Sequence, residues 1–443
     1  MAKVIPFRGI LYNPDKIGDL SDVVAPPYDV ISKQDQQNFY DRHPNNIIRL
    51  ILGKTTEFDT VENNVHTRAA AFYKKWLSDK ILLKDKSPAF YLTSVDFSLE
   101  NKAVSRYGLI ARVGLEPFDT GVVLPHEKTF SQIKSERLEL MKTCHANFSP
   151  IFSLYSDRNN ILGTLKEAAL KNPPDIDLLD HQDRRHRLWR ITDPSVHRYV
   201  TDAMGNRTLF IADGHHRYET ALNYKERVSR DNPGFSDDHP ANYIMMCLCS
   251  MEDPGLVILP AHRMLTNIQE SVLSKFIRKA EKYFDIRSIP FEKNGREKSQ
   301  AEFISDLRSG GKKNTIGAFL KGCSKFFLLT LKPNLMEQRF GDEIPESLRK
   351  LDVTVLTRLI LVEILGFDNS RLDNEKQIAY SSTEKEAIEA VASGRCDITF
   401  ILNPTKIEQV RDIAKTGLTM PRKSTYFYPK VITGQVLNDL NPD

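Results

Sequence analysis

The sequence TLFIADGHHRYETAL, residues 208–222, carries the strongest indication of both the fold and a functional site. Its apolar run Leu209–Ala212 predicts a buried strand, and a turn at Asp213 and Gly214 leads into a helix that begins at His215. The first backbone N–H groups of a helix have no partner within the helix, and the helix dipole favours negative charge there. A strand followed by such a turn therefore indicates an anion-binding site.

Two interpretations of this stretch remain open from the residues alone. Two imidazoles (His215 and His216), the guanidinium of Arg217 and the carboxylate of Asp213 are the groups that hold a phosphate and a metal ion together. The alternative is a helix capped by Asp213, with Gly214 required by the turn and the cations in solvent. Adjacent histidines diverge by about 100° on a helix, so a shared zinc ion is not indicated.

Composition restricts the class of protein. A chain of 443 residues with 40% hydrophobic residues predicts two or three domains with sizeable cores. The net charge is only +4, and its lysines and arginines are scattered, so the charge pattern does not indicate a nucleic-acid partner. The densest basic cluster, residues 184–187, leads into a predicted strand at Leu188–Thr192, and we expect it to be a solvated strand edge.

The cysteines and the apolar segments indicate the cellular compartment of the protein. Its five cysteines are widely spread and odd in number, which fits a reducing cytoplasm. Cys247 and Cys249 share one face of a predicted strand and are expected to be buried thiols. The N-terminus has no sustained apolar region, and Val353–Gly366 is too short and too charged to span a bilayer. We therefore expect a soluble cytoplasmic protein with no membrane partner.

Strand-like and helix-like segments alternate along the chain, which predicts an α/β or α+β fold. We divide it into an N-terminal α/β block at residues 1–121, a core at 122–265 and a C-terminal α/β block at 266–443. The predicted helices are Val61–Ser78 and Ser131–His145. The predicted strands are Ile47–Leu52, Ala89–Phe97, Tyr107–Leu115, Ile151–Tyr155, Tyr243–Ser250, Leu256–Pro260, Thr315–Leu320 and Phe326–Leu331.

Several common catalytic motifs are absent. No GxxxxGK[ST] or GxGxxG loop occurs, and neither HExxH nor GxSxG is present. Glu127, in the irregular segment LPHEKTF, is either an exposed carboxylate or a general base that acts on a substrate hydroxyl. The aromatic segment Ser424–Lys430 fits a docking strand, a lid or core packing, and packing is favoured by its large aromatic side chains.

Taken together, the motifs of this chain resemble one bacterial and archaeal family from end to end. That family is known mainly as a domain of unknown function, number one thousand and fifteen in its series, and is often described as related to the ParB chromosome-partitioning proteins. The segments that carry the resemblance are Val24–Val30, His126–Thr129, Ser149–Tyr155, Ile211–Leu222, Asp253–Pro260 and Met420–Lys430.

The DGHHR run at residues 213–217 also resembles the signature of the ParB/sulfiredoxin superfamily, in which a polar motif at a helix N-terminus grips nucleotide phosphates. This implies a ParB/sulfiredoxin-like nucleotide-binding core embedded between the additional α/β blocks. His215 stands where sulfiredoxin needs a cysteine, which argues against sulfinic-acid repair. No helix-turn-helix or basic recognition region is visible, unlike in partition proteins. Of these members of the superfamily, the ADP-dependent free L-serine kinases resemble this sequence best.

The resemblance to the serine kinases implies a role for each residue of the motif. Asp213 would bind Mg²⁺ or orient the transferring phosphoryl group, while Gly214, His215, His216 and Arg217 would hold phosphate oxygens. Of these, Asp213 and His216 count as catalytic, together with Glu127, our candidate for the base that deprotonates the serine hydroxyl. Arg217 would bind its phosphate with two parallel hydrogen bonds.

The function implied is a Mg²⁺-dependent phosphotransferase that acts on free L-serine and O-phospho-L-serine with ADP or ATP. Running toward serine, it would replace a phosphoserine phosphatase in serine biosynthesis. The alternative is a ParB-like regulatory switch that binds a nucleotide without turning over a small molecule. The sequence does not give the oligomeric state.

Overall fold

The computed structural model describes residues 1–127, 129, 131–292, 295–311, 313–372, 374 and 377–442, with the backbone alone at 131–133 and 369. The fold is mixed α/β, as predicted. The chain forms two compact units. Unit 1 comprises Met1–Val257 and the chain from Pro429 onward, and unit 2 comprises Ile258–Tyr428. The division into blocks at 121/122 and 265/266 stays a prediction.

Strands and helices alternate through both units. The strands are β1 Val4–Ile5, β2 Ile10–Tyr12, β3 Leu82–Lys84, β4 Phe90–Leu99, β5 Lys102–Gly114, β6 Val123–Leu124, β7 Ala146–Asn147, β8 Ile151–Tyr155, β9 Ile176–Leu179, β10 Arg185–Ile191, β11 Leu209–Asp213, β12 Tyr243–Ser250, β13 Val257–Leu259, β14 His262–Leu265, β15 Phe284–Pro290, β16 Thr315–Leu320, β17 Lys325–Leu331, β18 Ile378–Ser381, β19 Ile398–Ile401, β20 Tyr426–Tyr428 and β21 Asn438–Asp439.

The helices are mostly short, and one is a π-helix. They are α1 Pro14–Ile17, α2 Lys33–Arg42, α3 Ile48–Ile51, α4 Val65–Ser78, α5 Ser131–Cys144, α6 Ile161–Ala169, α7 Pro194–Gly205, α8 His215–Asp231, α9 Glu270–Leu273, α10 Phe276–Ala280, α11 Arg296–Ser309, α12 Leu335–Phe340, α13 Glu346–Arg349, α14 Asp352–Val355 with the π-helix Leu356–Ile364, α15 Asn369–Leu372, α16 Glu384–Ala392 and α17 Ile407–Lys415. In the described part of the chain, none has the length and apolar composition of a membrane-spanning segment.

Unit 1 is built on a mixed sheet in the order β6-β11-β8-β12-β5-β4-β10-β9, with β1 paired to β5. Strand β11 runs parallel to β6 and antiparallel to β8, and β8 runs parallel to β12. One face of the sheet carries a core in which Leu209 and Ile211 of β11 join Tyr218, Ala221 and Tyr224 of α8. These helix positions follow the spacing of one helical face. Burial of that face holds α8 against the sheet directly after β11.

Unit 2 has its own sheet, in the order β15-β17-β16-β19-β14-β18, with all neighbouring strands antiparallel. Its core includes Phe303 of α11, Phe326 of β17 and Ile388 of α16. The rings of Phe303 and Phe326 are stacked, with their centroids 4.8 Å apart.

Most predicted elements are confirmed, some to the residue. Strands β8, β12 and β16 have the predicted bounds, and α5 ends one residue before its predicted end. The prediction of a strand at Ile47–Leu52 is wrong, because this stretch contains a single helical turn, Ile48–Ile51. Its hydrophobic side chains are buried, and a short buried apolar run has the same pattern in a helix as in a strand.

The basic cluster at residues 184–187 is not the solvated edge that we expected. Arg184 and His186 are buried, and both contact one carboxylate oxygen of the buried Asp180, at 2.7 and 2.9 Å. The prediction for Cys247 and Cys249 is confirmed, since both thiols lie buried on β12.

Candidate functional site

Strand β11 ends in a bulge that turns Asp213 to the other face of the sheet. Ile211 lies opposite Ser153 of β8, whereas Asp213 lies opposite Phe152, the residue before Ser153. Paired residues point to the same face and successive residues to opposite faces, so Asp213 points away from the face of Ile211. Ile211 belongs to the hydrophobic core. The bulge therefore keeps the Asp213 carboxylate out of that core.

Gly214 lies between the strand and α8 in a conformation that favours glycine. Its φ is +97°, and a Cβ at this position would lie 2.9 Å from the guanidinium of Arg217. Gly214 is the N-cap of α8 and, as a glycine, has no side chain that could cap the helix. The first amide that bonds within the helix belongs to Tyr218, which donates to the Gly214 carbonyl at 3.0 Å. The N-cap is therefore Gly214 and not Asp213, and the positive end of the α8 dipole lies at this turn.

The carboxylate of Asp213 is shared by two cations. Nη2 of Arg217 donates to Oδ2 at 2.7 Å, and Nζ of Lys430 donates to Oδ1. Nη1 of Arg217 also donates to the Pro150 carbonyl. The side chains of Asp213, Arg217 and Lys430 are only 12–13% exposed. Burial raises the pKa of the Asp213 carboxyl, but Lys430 and Arg217 outweigh burial and hold that pKa well below its usual value.

A buried histidine pair fixes the segment that precedes α5. Nδ1–H of His126 donates to the Ile211 carbonyl at 2.7 Å, and the backbone N–H of His126 donates to Nε2 of His215 at 3.2 Å. The two rings lie edge to face at 4.7 Å. Burial, then the neighbouring His126, lowers the pKa of His215 well below its usual value, so the ring is neutral at neutral pH. Because its Nε2 accepts a hydrogen bond, His215 carries its proton on Nδ1.

Glu127 lies between two anchors to α8. On one side His126 is bonded to His215, and on the other Oγ1 of Thr129 donates to Glu219 at 2.7 Å. Glu219 also accepts from Lys134 of α5 at 2.5 Å. The segment that carries Glu127 is thus tied to the first turns of α8.

Two further segments that carry the family resemblance, Val24–Val30 and Ser149–Tyr155, are joined through Thr433, which lies three residues after Met420–Lys430. Ala25 and Thr433 exchange backbone hydrogen bonds at 3.1 and 2.8 Å, and the hydroxyls of Ser149 and Thr433 lie 2.8 Å apart. Burial raises the pKa of Tyr28 above its usual value, against the opposing charge of Arg217. Segments far apart in the sequence are thus connected to the turn at Gly214, because Pro150 follows Ser149 and accepts from Arg217.

Most of the predicted site residues are adjacent in space, but sequence reasoning missed several others. Asp213, Gly214, His215 and Arg217 form one cluster, and His216 lies half-buried on the same turn. The missed members are His126, Pro150 and Lys430. All three lie in segments that carry the family resemblance, so the motif set contained a signal for them.

The described residues do not fit a protein-held Mg²⁺ ion. They contain no group of three or more histidine, cysteine, aspartate or glutamate side chains that could hold a metal. Both oxygens of Asp213 already accept from cations, whereas Mg²⁺ prefers several oxygen ligands. Asp213 as a metal ligand stays a prediction.

Residues 4–354 match the sequence profile of DUF1015, a family described as a protein of unknown function. The chain belongs to this family. A search of curated proteins finds no match to this DUF1015 member.

Among solved structures, the DUF1015 chain is similar to a mutant free serine kinase in complex with AMP, at 13% identity and a TM-score of 0.34, over 72% of this chain and 87% of that chain. A conserved hypothetical protein from Pyrococcus furiosus is 13% identical, with a TM-score of 0.33 over 73% and 92% of the two chains. C-terminally truncated SbnI from Staphylococcus aureus is 8% identical, with a TM-score of 0.34 over 74% and 86%. The likeness is distant.

Proposed function

We propose that the start of α8 binds a phosphoryl group and that the protein transfers it between an adenine nucleotide and free L-serine. The observation that carries the proposal is the convergence of Arg217 and Lys430 on Asp213, beside the N-terminus of α8. The choice of serine and an adenine nucleotide comes from the resemblance of residues 213–217 to the free serine kinase motif.

The charges of the cluster suit an anion. Two cations and one carboxylate leave one net positive charge in a setting that is largely shielded from water. Electrostatic attraction is stronger in such a setting than in bulk solvent. The N-terminus of α8 adds backbone N–H groups and the positive end of the helix dipole. A phosphate is the common biological anion that uses all of these features.

Asp213 has a positioning role in this proposal. Its ionised carboxylate holds Arg217 and Lys430 in fixed orientations, so that the donors are set before the substrate arrives. Phosphoryl transfer depends mainly on positioning and charge stabilisation, because negative charge on the phosphoryl oxygens must be balanced in the transition state. His216, on the same turn, is the further candidate for contact with a phosphate oxygen.

Glu127 is the proposed general base. In the kinase direction, its carboxylate accepts the proton of the serine hydroxyl while the hydroxyl oxygen bonds to the terminal phosphorus of ATP. The bond from that phosphorus to the bridging oxygen breaks, and ADP leaves. In the reverse direction, ADP takes the phosphoryl group from O-phospho-L-serine, and Glu127 returns the proton to the serine oxygen. Mg²⁺ remains a predicted cofactor with no assigned ligand.

The test is phosphorus NMR of the protein with O-phospho-L-serine and Mg²⁺, in matched samples with and without ADP. We expect ATP and serine to form only when ADP is present. Free phosphate without ADP would instead show a phosphatase. Unchanged phosphoserine in both samples would reject the serine assignment, and saturable ADP binding without turnover would then favour the regulatory switch.

A further inference from the structure

A second candidate binding site lies in unit 1, in a cavity of about 290 Å³. Residues of α2, α3, α4 and α5, with the segment after α3, line it. Its apolar wall includes Leu50, Leu52, Val65 and Leu140. A cavity near this size accommodates a small metabolite. None of its lining residues belongs to the cluster around Asp213.

The most polar wall of the cavity is formed by Arg137 of α5. This side chain is 9% exposed, and its guanidinium stacks over the ring of Tyr28 at 4.2 Å. Nη1 donates to the Ile51 carbonyl at 2.8 Å, and Nη2 donates to Glu136 at 2.5 Å. Its Nε is buried and has no hydrogen-bond partner in the described part of the protein. A guanidinium has five N–H donors, and a buried donor without a partner is costly.

The ion-pair partner of Arg137 is the exposed side chain of Glu136. Glu136 lies at the cavity with 53% of its side chain exposed, so its carboxylate can move into solvent when a ligand takes its place. A ligand carboxylate can replace Glu136 on Nη2, because the planar guanidinium matches the geometry of a carboxylate. Lys33 also lines the cavity and adds positive charge.

We infer that this cavity binds a small organic carboxylate with a branched apolar body. The carboxylate contacts Arg137 in place of Glu136, and the apolar body lies against Leu50, Leu52 and Val65. The inference is independent of the proposed phosphoryl transfer, since the residues involved are different and either assignment stands if the other fails.

His66 provides an internal reporter of an occupied cavity. Burial and then the charge of Arg137 lower the pKa of His66, while Glu136 and Glu139 raise it. A carboxylate that takes the place of Glu136 on Arg137 changes both the charges and the burial beside the imidazole. The pKa of His66 should therefore shift when such a ligand binds.

The test uses isovalerate as the probe and isoamyl alcohol, which has the same branched body without the charge, as its control. Methyl NMR of the full chain follows Leu50, Leu52, Val65 and Leu140 during each titration. We expect saturable shifts with isovalerate and affinity about tenfold weaker, or worse, for the alcohol. Equal responses to both probes, or no saturable shift of these methyls, would overturn the inference.

Three variants complete the test. Arg137→Gln should abolish isovalerate binding because it removes the cation. Val65→Phe should block binding because the larger side chain fills the cavity from its apolar wall. Arg137→Gln also removes the contact with Ile51 and could unfold the protein. In that case Val65→Phe, which keeps Arg137, still tests the inference. Glu136→Gln should strengthen isovalerate binding several-fold, because it removes the competing carboxylate. Unchanged or weaker binding in Glu136→Gln, or normal binding in folded Val65→Phe, would contradict the inference.

Discussion

Lys430 donates a hydrogen bond to the carboxylate of Asp213, a residue that precedes it by 217 positions in the chain. Asp213 belongs to the strand–turn–helix unit, whereas Lys430 lies just after the chain has returned from unit 2 to unit 1. The carboxylate also accepts from Arg217, four residues along α8. The proposed phosphate site therefore needs both the local motif and the returning C-terminal segment.

Replacement of Asp213 tests its positioning role. Asp213→Asn keeps the shape of the side chain but removes the charge that holds Arg217 and Lys430, so phosphoryl transfer should be lost while the fold is retained. Phosphorus NMR measures the transfer, and circular dichroism checks the fold. Asp202→Asn, on α7, is the control and should transfer at the parental rate. An unchanged rate in Asp213→Asn would remove Asp213 from the mechanism.

Arg217 should bind the nucleotide phosphate through two parallel hydrogen bonds from its planar guanidinium group. Arg217→Lys keeps the charge but loses the paired hydrogen bonds, so ADP affinity should fall by about tenfold or more. Isothermal titration calorimetry gives the affinity. Arg230→Lys, in the last turn of the same helix, is the matched control because its side chain is exposed. Equal ADP affinity for the parent and Arg217→Lys would argue against the phosphate clamp.

Glu127→Gln separates catalysis from binding. If Glu127 accepts the serine proton, this variant should lower the transfer rate by about 10²- to 10⁴-fold and leave ADP affinity unchanged. Glu226→Gln, an exposed position of α8, serves as the control. A normal rate would show that another group takes the proton.

Gly214→Ala should destabilise the protein by about 1–3 kcal/mol, because alanine is strained at positive φ and its Cβ would displace Arg217. Chemical denaturation measures the free energy of unfolding. Gly205→Ala is the matched control at the end of α7, where no atom lies within 4 Å of a Cβ, and should be neutral or slightly stabilising. Equal effects of the two substitutions would contradict the described turn.

The buried His215 should make stability depend on pH. Its folded-state pKa lies well below the model-peptide value of 6.5, so the unfolded chain binds a proton that the folded chain does not. The stabilising contribution is therefore complete above about pH 6.5 and is lost as the pH falls below it. His215→Asn should flatten the slope of unfolding free energy just below this pH. An identical slope in the parent and the variant would show that His215 is protonated in the folded protein.

Sequence alone predicted the elements whose pattern was unambiguous. Strands β8 and β12 are long apolar runs bounded by turn residues, and their bounds are confirmed. The stretch Ile47–Leu52 failed because a short apolar run is compatible with either a strand or a helix. The strand–turn–helix unit around Gly214 was predictable because each of its parts has a distinct local signal.

The arrangement of the candidate site was predictable only in part. In a regular strand, alternate side chains share a face, so Asp213 would lie on the face of Ile211. The bulge that reverses this orientation has no recognisable sequence pattern. Lys430 is paired through tertiary structure, so no spacing rule connects it to Asp213. Arg184 had the pattern of a surface cation, but Asp180 gives it a buried partner.

Amide NMR with ADP tests whether a phosphate binds at the start of α8. We predict that the backbone N–H resonances of His215, His216 and Arg217 shift and saturate together, while that of Arg230 at the far end of the helix stays in place. ADP that binds with saturable shifts elsewhere, and none at these three amides, would contradict phosphate binding at the start of α8.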